Sequence, residues 1–230
     1  MTSKMKLLAS AAIAAVSLVS APVASANNWY VNVSGGANWL GDNSFYKTTS
    51  GSTTTTFSFD NDTKVGFILS GAVGMHLDGV LPGLRAEGEL AYRENDVGGF
   101  WSTCTDETSC ASNALDYQHS TFSILANAWY DFQVAGLNPY VGGGLGWADT
   151  ELDGTFNGKS SALSESDSGF AWQLGGGLNF DIQPNMKLGI GYRYFVGPDV
   201  SIHAPYSDNP LTGNVDSENQ SVTVGLTVGL

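Results

Sequence analysis

Four charges alternate along one short stretch. Arg85, Glu87, Glu89 and Arg93 take every second position of Leu84-Arg-Ala-Glu-Gly-Glu-Leu-Ala-Tyr-Arg93, with Ala91 in the same series and Leu84, Ala86, Gly88, Leu90 and Tyr92 opposite. A period of two places them on one face of a strand. Charges of both signs on one face either line a polar channel or neutralise each other in a filled interior, because an unpaired buried charge is costly. Asp131, Asp181, Arg193 and Lys64 fall on the matching faces of other strands. Arg193, with Arg85 or Arg93, is expected to partner Glu87 and Glu89. In a narrow eight-stranded barrel side chains fill the interior, which favours a plug over a pore.

Other reactive residues give weaker patterns. A lipid hydrolase needs a Ser, a His and an acid together. His119 and Ser120 are adjacent, so on a strand they point to opposite faces. Thr121 shares the face of His119 but is a poor nucleophile, and Ser123 lies roughly 13 Å along the strand. His76 reads as an interior side chain, His203 lies in a loop, and no Gly-x-Ser-x-Gly elbow occurs. Asp149-Thr-Glu-Leu-Asp-Gly154 resembles the start of a calcium loop, but its twelfth position is Ser160 where a bidentate Glu is needed. The runs Gly142-Gly-Gly144 and Gly175-Gly-Gly177 lack phosphate-loop spacing and fit strand curvature. Cys104 and Cys110, six positions apart, are expected to staple a small loop, since no His or further Cys stands near to complete a metal site. No catalytic set, cofactor site or metal-ligand set is assigned.

The elements that position these residues are strands. The closing stretch Ser221-Val-Thr-Val-Gly-Leu-Thr-Val-Gly-Leu230 alternates apolar with small or polar residues. Similar alternation covers 29–40, 63–77, 84–93, 118–132, 139–148, 169–182 and 187–196. Connections alternate long (41–62, 94–117, 149–168, 197–217) with short (78–83, 133–138, 183–186). That alternation is expected of an all-β, eight-stranded antiparallel up-and-down transmembrane barrel with four long extracellular loops and three short periplasmic turns. Aromatics near the ends of the outward faces, Trp29, Trp39, Tyr92, Tyr130, Trp147, Trp172 and Tyr194, are expected at the two membrane interfaces.

The whole chain agrees with export. Lys4 and Lys6, the apolar stretch 7–19 and Ala24-Ser25-Ala26 read as a signal peptide over 1–26, leaving a barrel domain over 27–230; an uncleaved anchor is the competing reading. The formal charge is -13, and loss of Lys4 and Lys6 without any acid takes the mature chain to about -15, which argues against nucleic-acid binding. Seventeen of the 22 acids fall in the four long loops or, for Glu218, directly after the last of them, against Lys47 and Lys159. Such loops either form a solvated, repulsive surface or meet divalent cations, lipopolysaccharide phosphates or a basic host or surface partner.

Asn28-Trp-Tyr-Val-Asn-Val-Ser-Gly-Gly-Ala37, Pro139-Tyr-Val-Gly-Gly-Gly-Leu-Gly146, and Gly169-Phe-Ala-Trp-Gln-Leu-Gly-Gly-Gly177 with Gly191-Tyr-Arg-Tyr194 carry a resemblance to the opacity-protein-like small outer-membrane barrels, a porin family related in shape to the barrel of outer membrane protein A. The chain departs from that family at Leu230, where an aromatic usually closes the last strand. The resemblance implies an outer-membrane surface protein, in some members an adhesin or antigen, and leaves the individual role open. With the residues read above, the expectation is a monomer in the outer membrane of a Gram-negative cell, adhesin- or antigen-like at the surface and without enzymatic activity. A small-solute porin is the alternative, and a lipid-modifying hydrolase follows it.

Overall fold

The computed structural model describes residues 28–41, 47–50, 53–56, 62–104, 110–134, 137–156, 159–204 and 211–230. The stretch read as a signal peptide lies outside them. Eight strands form the body: β1 Trp29–Leu40, β2 Gly66–His76, β3 Leu84–Cys104, β4 Cys110–Asp131, β5 Asn138–Phe156, β6 Lys159–Gln183, β7 Met186–Val196 and β8 Glu218–Gly229. Each pairs antiparallel with the next, and β1 pairs β8 from Tyr30↔Gly229 to Leu40↔Asn219, which closes the sheet. Closure leaves no open strand edge around the ring where all eight strands run side by side, the condition for a sheet to stand in lipid.

The register also sets the width. A walk across the ladder from Tyr30 passes Gly74, Glu87, Asn127, Gly144, Gln173, Phe195 and Asn219, then returns to β1 at Leu40, ten residues above its start. Eight strands with that stagger tilt by roughly 40° and enclose a lumen only side chains can occupy. The outer surface carries exposed Phe67, Leu69, Val73, Ile124, Leu145, Leu174, Leu178, Ile190, Val224 and Leu226, an apolar band too large for a water-facing surface. Trp29 to Trp39 on β1 spans roughly 34 Å along the strand and about 25 Å along the membrane normal at that tilt, the height of a barrel's apolar band.

The strands are unequal. β1, β2, β7 and β8 have 11 or 12 residues, whereas β3, β4, β5 and β6 have 21, 22, 19 and 25. Much of what reads as loop between 94–117 and 149–168 is therefore strand. Polar outward residues mark only where the wall leaves lipid, and pairing continues because Val97, Tyr117 and Leu152 still face an interior that buries them. These three pack with Leu40, Val200 and Val215 into an apolar cluster. Val200 and Val215 belong to a hairpin of the fourth loop, Val200–Ala204 paired with Leu211–Val215, which thus caps the extracellular mouth. A hairpin in the first loop, Lys47–Ser50 with Thr53–Thr56, extends the sheet onto the top of β3.

Glycine is required where walls meet most tightly. A Cβ at Gly142 would collide with the Ala128 carbonyl oxygen and stand 2.7 Å from Trp129 Cε3, whereas one at lipid-facing Gly88 would meet nothing within 4 Å. Gly142→Val is expected to destabilise the barrel by about 1–3 kcal/mol through overpacking. Gly88→Val is expected to stay within about 0.5 kcal/mol of wild type. Urea unfolding in detergent micelles, followed by tryptophan fluorescence, checks both.

Candidate functional site

The inward faces of β3, β4, β6 and β7 bring most of the charged candidates together. At the periplasmic end, Arg85 donates to Asp131 through two bonds, Nε to Oδ2 at 2.7 Å and Nη2 to Oδ1 at 3.0 Å. Its Nη1 reaches Glu87 Oε1 at 2.8 Å and the Tyr30 hydroxyl at 3.0 Å. Tyr30 in turn donates to Glu87 Oε1 at 2.6 Å, and Trp129 Nε1 donates to Glu87 Oε2 at 2.8 Å. The Arg85 guanidinium also lies 5.6 Å from the centres of both the Tyr30 and Tyr140 rings.

One layer higher, Glu89 takes a charge-assisted bond from Arg193 Nη1. Asn127 Nδ2 and Gln173 Nε2 each donate to Glu89 at 3.2 Å, and Gln173 Nε2 also donates to Asn127 Oδ1 at 2.8 Å. Arg93 pairs with neither glutamate. Its Nη1 donates to Ser123 Oγ at 3.0 Å, and its guanidinium lies 3.8 Å over the Phe195 ring. Toward the extracellular side an uncharged group follows: Asn38 donates to Asn219 at 2.8 Å and accepts from Ser221 at 2.6 Å, while Asn95 donates to the Asn38 carbonyl at 2.9 Å.

Two expected members lie elsewhere. Asp181 sits at the periplasmic rim with its side chain 59% exposed, 3.9 Å from Lys187, because β6 leaves the lumen there. Lys64 precedes β2 and is exposed, so it is not an interior charge. Tyr30, Trp129, Asn127 and Gln173 were missed as network members although their parity on the strands marks them as inward. Looking for charges alone passes over the neutral donors that a buried carboxylate needs.

The interior is filled. Glu89, Arg93 and Gln173 are each 1% exposed and Ser123 is 0% exposed at mid-barrel, where the lining of a water-filled channel would be accessible. Three guanidiniums (Arg85, Arg93, Arg193) face three carboxylates (Glu87, Glu89, Asp131). His119 is buried on the inner face, while Ser120 lies on the outer, so they are not brought together.

Most aromatics lie at the two rims. Trp29 and Tyr130 are at the periplasmic end; Trp39, Trp147, Trp172 and Tyr194 are at the extracellular end, where Trp172 and Tyr194 rings pack 5.7 Å apart. Tyr92 shares that level but is covered: it packs 6.0 Å from Phe67 and donates to Glu94 at 2.6 Å. Above this girdle the outer wall turns acidic. Glu94 and Glu151 flank Ser120 in one row, Asp96 and Asp153 flank Gln118 in the next, and Asp116 and Asp149 adjoin them. At the mouth, loss of solvent and the charges of Asp216, Glu218 and Asp167 push the Asp199 carboxyl above its ordinary range. Cys104 and Cys110 face each other across the β3–β4 ladder, their side chains outside the described residues.

A closed eight-stranded sheet with an apolar belt, aromatic rims and a polar, packed interior defines a transmembrane barrel of the bacterial outer membrane. The chain belongs to the outer membrane protein beta-barrel domain family, whose model matches residues 11–228. Among solved structures it is similar to Neisserial surface protein A, with 18% identity, a TM-score of 0.52 and coverage of 90% of this chain and 99% of that one. It is likewise similar to OprG of Pseudomonas aeruginosa, at 15% identity and TM-score 0.52, covering 89% and 98%. Uncharacterized proteins of Brucella abortus and Brucella suis are 32% identical over 84 residues, 33% of this chain. The match spans only 30% of the length of those relatives.

Breaking the Arg193–Glu89 pair strands a buried carboxylate. Arg193→Met is expected to cost about 3–5 kcal/mol, and adding Glu89→Gln should recover part of that loss. Urea midpoints of the two variants and wild type decide it: a single variant as stable as wild type would refute a structural role for the pair.

Proposed function

We propose that the protein is a surface-exposed structural and interaction barrel of the outer membrane, adhesin- or antigen-like in role and without enzymatic activity. The observation that carries this reading is the contrast between a lumen filled by paired charges and a tall, acidic extracellular wall on β3 to β5. With the interior committed to holding the fold, the wall and its hairpin tips are what the molecule offers to others. Their charge suits cationic partners: divalent ions shared with lipopolysaccharide phosphates, or the basic surface of a host or neighbouring protein. The small-solute porin is the less favoured reading, because conduction requires the Arg85–Glu87–Asp131 and Arg193–Glu89 layers to part. A lipid hydrolase is less favoured still, since the imidazole of His119 and the hydroxyl of Ser120 face opposite sides of the wall.

Two further features belong to this proposal. Residues 1–26 act as a cleaved signal, so the mature protein starts at Asn27. Cys104 and Cys110, directly opposed in the backbone, form a disulfide that ties the tip of the β3–β4 hairpin in the oxidising exterior.

Three measurements test the reading. In planar bilayers the folded protein is expected to be silent, and stable salt-dependent steps would transfer the assignment to a porin. Replacing residues 97–116 with a tight turn should preserve heat-modifiable gel migration while abolishing cell-surface binding; full binding by the trimmed barrel would overturn the proposal. Mass spectrometry after alkylation should find no free thiol without reductant and two labels with it.

A further inference from the structure

Two adjacent connections at the periplasmic end carry side chains that a water-facing turn does not call for. The β2–β3 turn, 78–83, exposes Val80 at 80% and Leu81 beside it. The β4–β5 turn, 133–138, exposes Val134 at 55% and Leu137, next to an exposed Phe132. The turns adjoin, because the Asp131 N–H donates to the Gly83 carbonyl at 2.8 Å. The β6–β7 turn differs, exposing Gln183, Pro184 and Asn185.

Both turns continue the lipid-facing surface. On β4 the outward column through Ala128 and Tyr130 runs on to Phe132 and Val134 without a charge, and Val134 bridges Leu137. In the ladder Trp29 stands beside Met75, Ala86 and Ala128. A stagger of ten residues over eight strands lowers the level of Trp29 by roughly four residues three strands on, which brings it to Phe132. Val134 is two residues further down, about 5 Å along the membrane normal at the barrel's tilt. The headgroup zone of a bilayer occupies roughly 5–7 Å on each side of the hydrocarbon. The turns also satisfy their own backbone. Val80 and Leu81 donate to the Leu77 carbonyl at 2.8 and 3.0 Å, Leu84 to the Leu81 carbonyl at 3.0 Å, and Gly83 to Asp78 Oδ1 at 3.0 Å. Val134 and Leu137 exchange backbone bonds at 3.1 and 2.9 Å. Lipid demands such internal pairing, whereas water does not.

We infer that these two turns are seated in the inner leaflet of the membrane, at the boundary of phospholipid headgroups and acyl chains, and not in periplasmic water. Val80, Leu81, Val134 and Leu137 are the side chains that enter it. Left in water they would form an exposed apolar patch, whereas in the leaflet they extend an interface the barrel already has. They stand at the foot of β3, β4 and β5, the strands that raise the acidic wall outside. The side of the barrel that carries the wall is thus the side that lipid holds from within.

The probe is a bilayer of phosphatidylcholine and phosphatidylglycerol carrying a nitroxide either near the top or near the end of the acyl chain. Val80→Cys, Val134→Cys, Asn185→Cys and Val224→Cys, each with Cys104→Ser and Cys110→Ser, are labelled with a small fluorophore, and folding is checked by heat-modifiable gel migration. Labels placed at Val80 and Val134 should be quenched several-fold more by the shallow nitroxide than the label at Asn185. They should also respond more to the shallow nitroxide than to the deep one, and the mid-band label at Val224 should show the reverse order. Aqueous iodide should quench the label at Asn185 and spare those at Val80 and Val134. Iodide access at Val80 and Val134 equal to that at Asn185 would overturn the inference. Shielding from both quenchers would overturn it too, as the mark of a protein partner or a second copy on the patch. Should a variant not fold, methyl NMR of wild type in lipid nanodiscs decides the matter. The Val80 and Leu81 methyl signals should broaden with the shallow nitroxide lipid and not with a soluble gadolinium chelate; the opposite pattern removes the site.

Discussion

The requirement that no backbone group be left unpaired in lipid governs this molecule. A sheet meets it only by closing on itself, and the pairing of β1 with β8 over the length of β1 supplies that closure. Once eight strands close with a ten-residue stagger, the lumen has one size and the inward side chains must fill it. Their charges can no longer be solvated individually, so they are met by one another or, for Arg93, by the Ser123 hydroxyl and the Phe195 ring. Glu87 is bound by Arg85, Tyr30 and Trp129, and Glu89 by Arg193, Asn127 and Gln173, because nothing else is within reach.

How much of this was legible in the residues depends on which physical quantity is asked for. Faces were legible, since alternation has a period of two and lipid tolerates no charge on its side. Arg85, Glu87, Glu89, Arg93, Asp131 and Arg193 all point inward on that ground alone. Partners were not, because they depend on strand register, which couples residues as far apart as Glu89 and Arg193 and leaves no local trace. Asp181 shows the limit of parity: it has the inward phase of its strand but sits where the wall ends. Strand length was misjudged above the membrane, where an outward acid means only water outside and says nothing about pairing. Val97, Tyr117 and Leu152, apolar on the inner phase, were the signal that the wall continues.

The two ends of the lumen are sealed by different physics. On the periplasmic side the seal is a layer of Arg85, Asp131, Tyr30, Tyr140 and Trp129, held by directional bonds and ring contacts. On the extracellular side it is an apolar cluster that draws in Val200 and Val215 from the fourth loop. The first keeps its geometry through directional hydrogen bonds, whereas the second buries apolar side chains together, and that burial draws a surface hairpin into the fold. The loops of this barrel are thus partly structural, and the division between scaffold and display runs through the fourth loop itself.

The uneven height of the wall has a mechanical consequence. β3 and β4 stay paired from Leu84↔Tyr130 up to Cys104↔Cys110, so a load applied at the tip of that hairpin acts on the far end of a long ladder. Tension there runs along both strands at once, so it loads the backbone hydrogen bonds of the ladder in shear and is shared among many residue pairs before it arrives at lipid. The projecting half of the wall therefore behaves as a stiff lever: it spreads a pull over a long seam instead of delivering it to one point of the embedded ring.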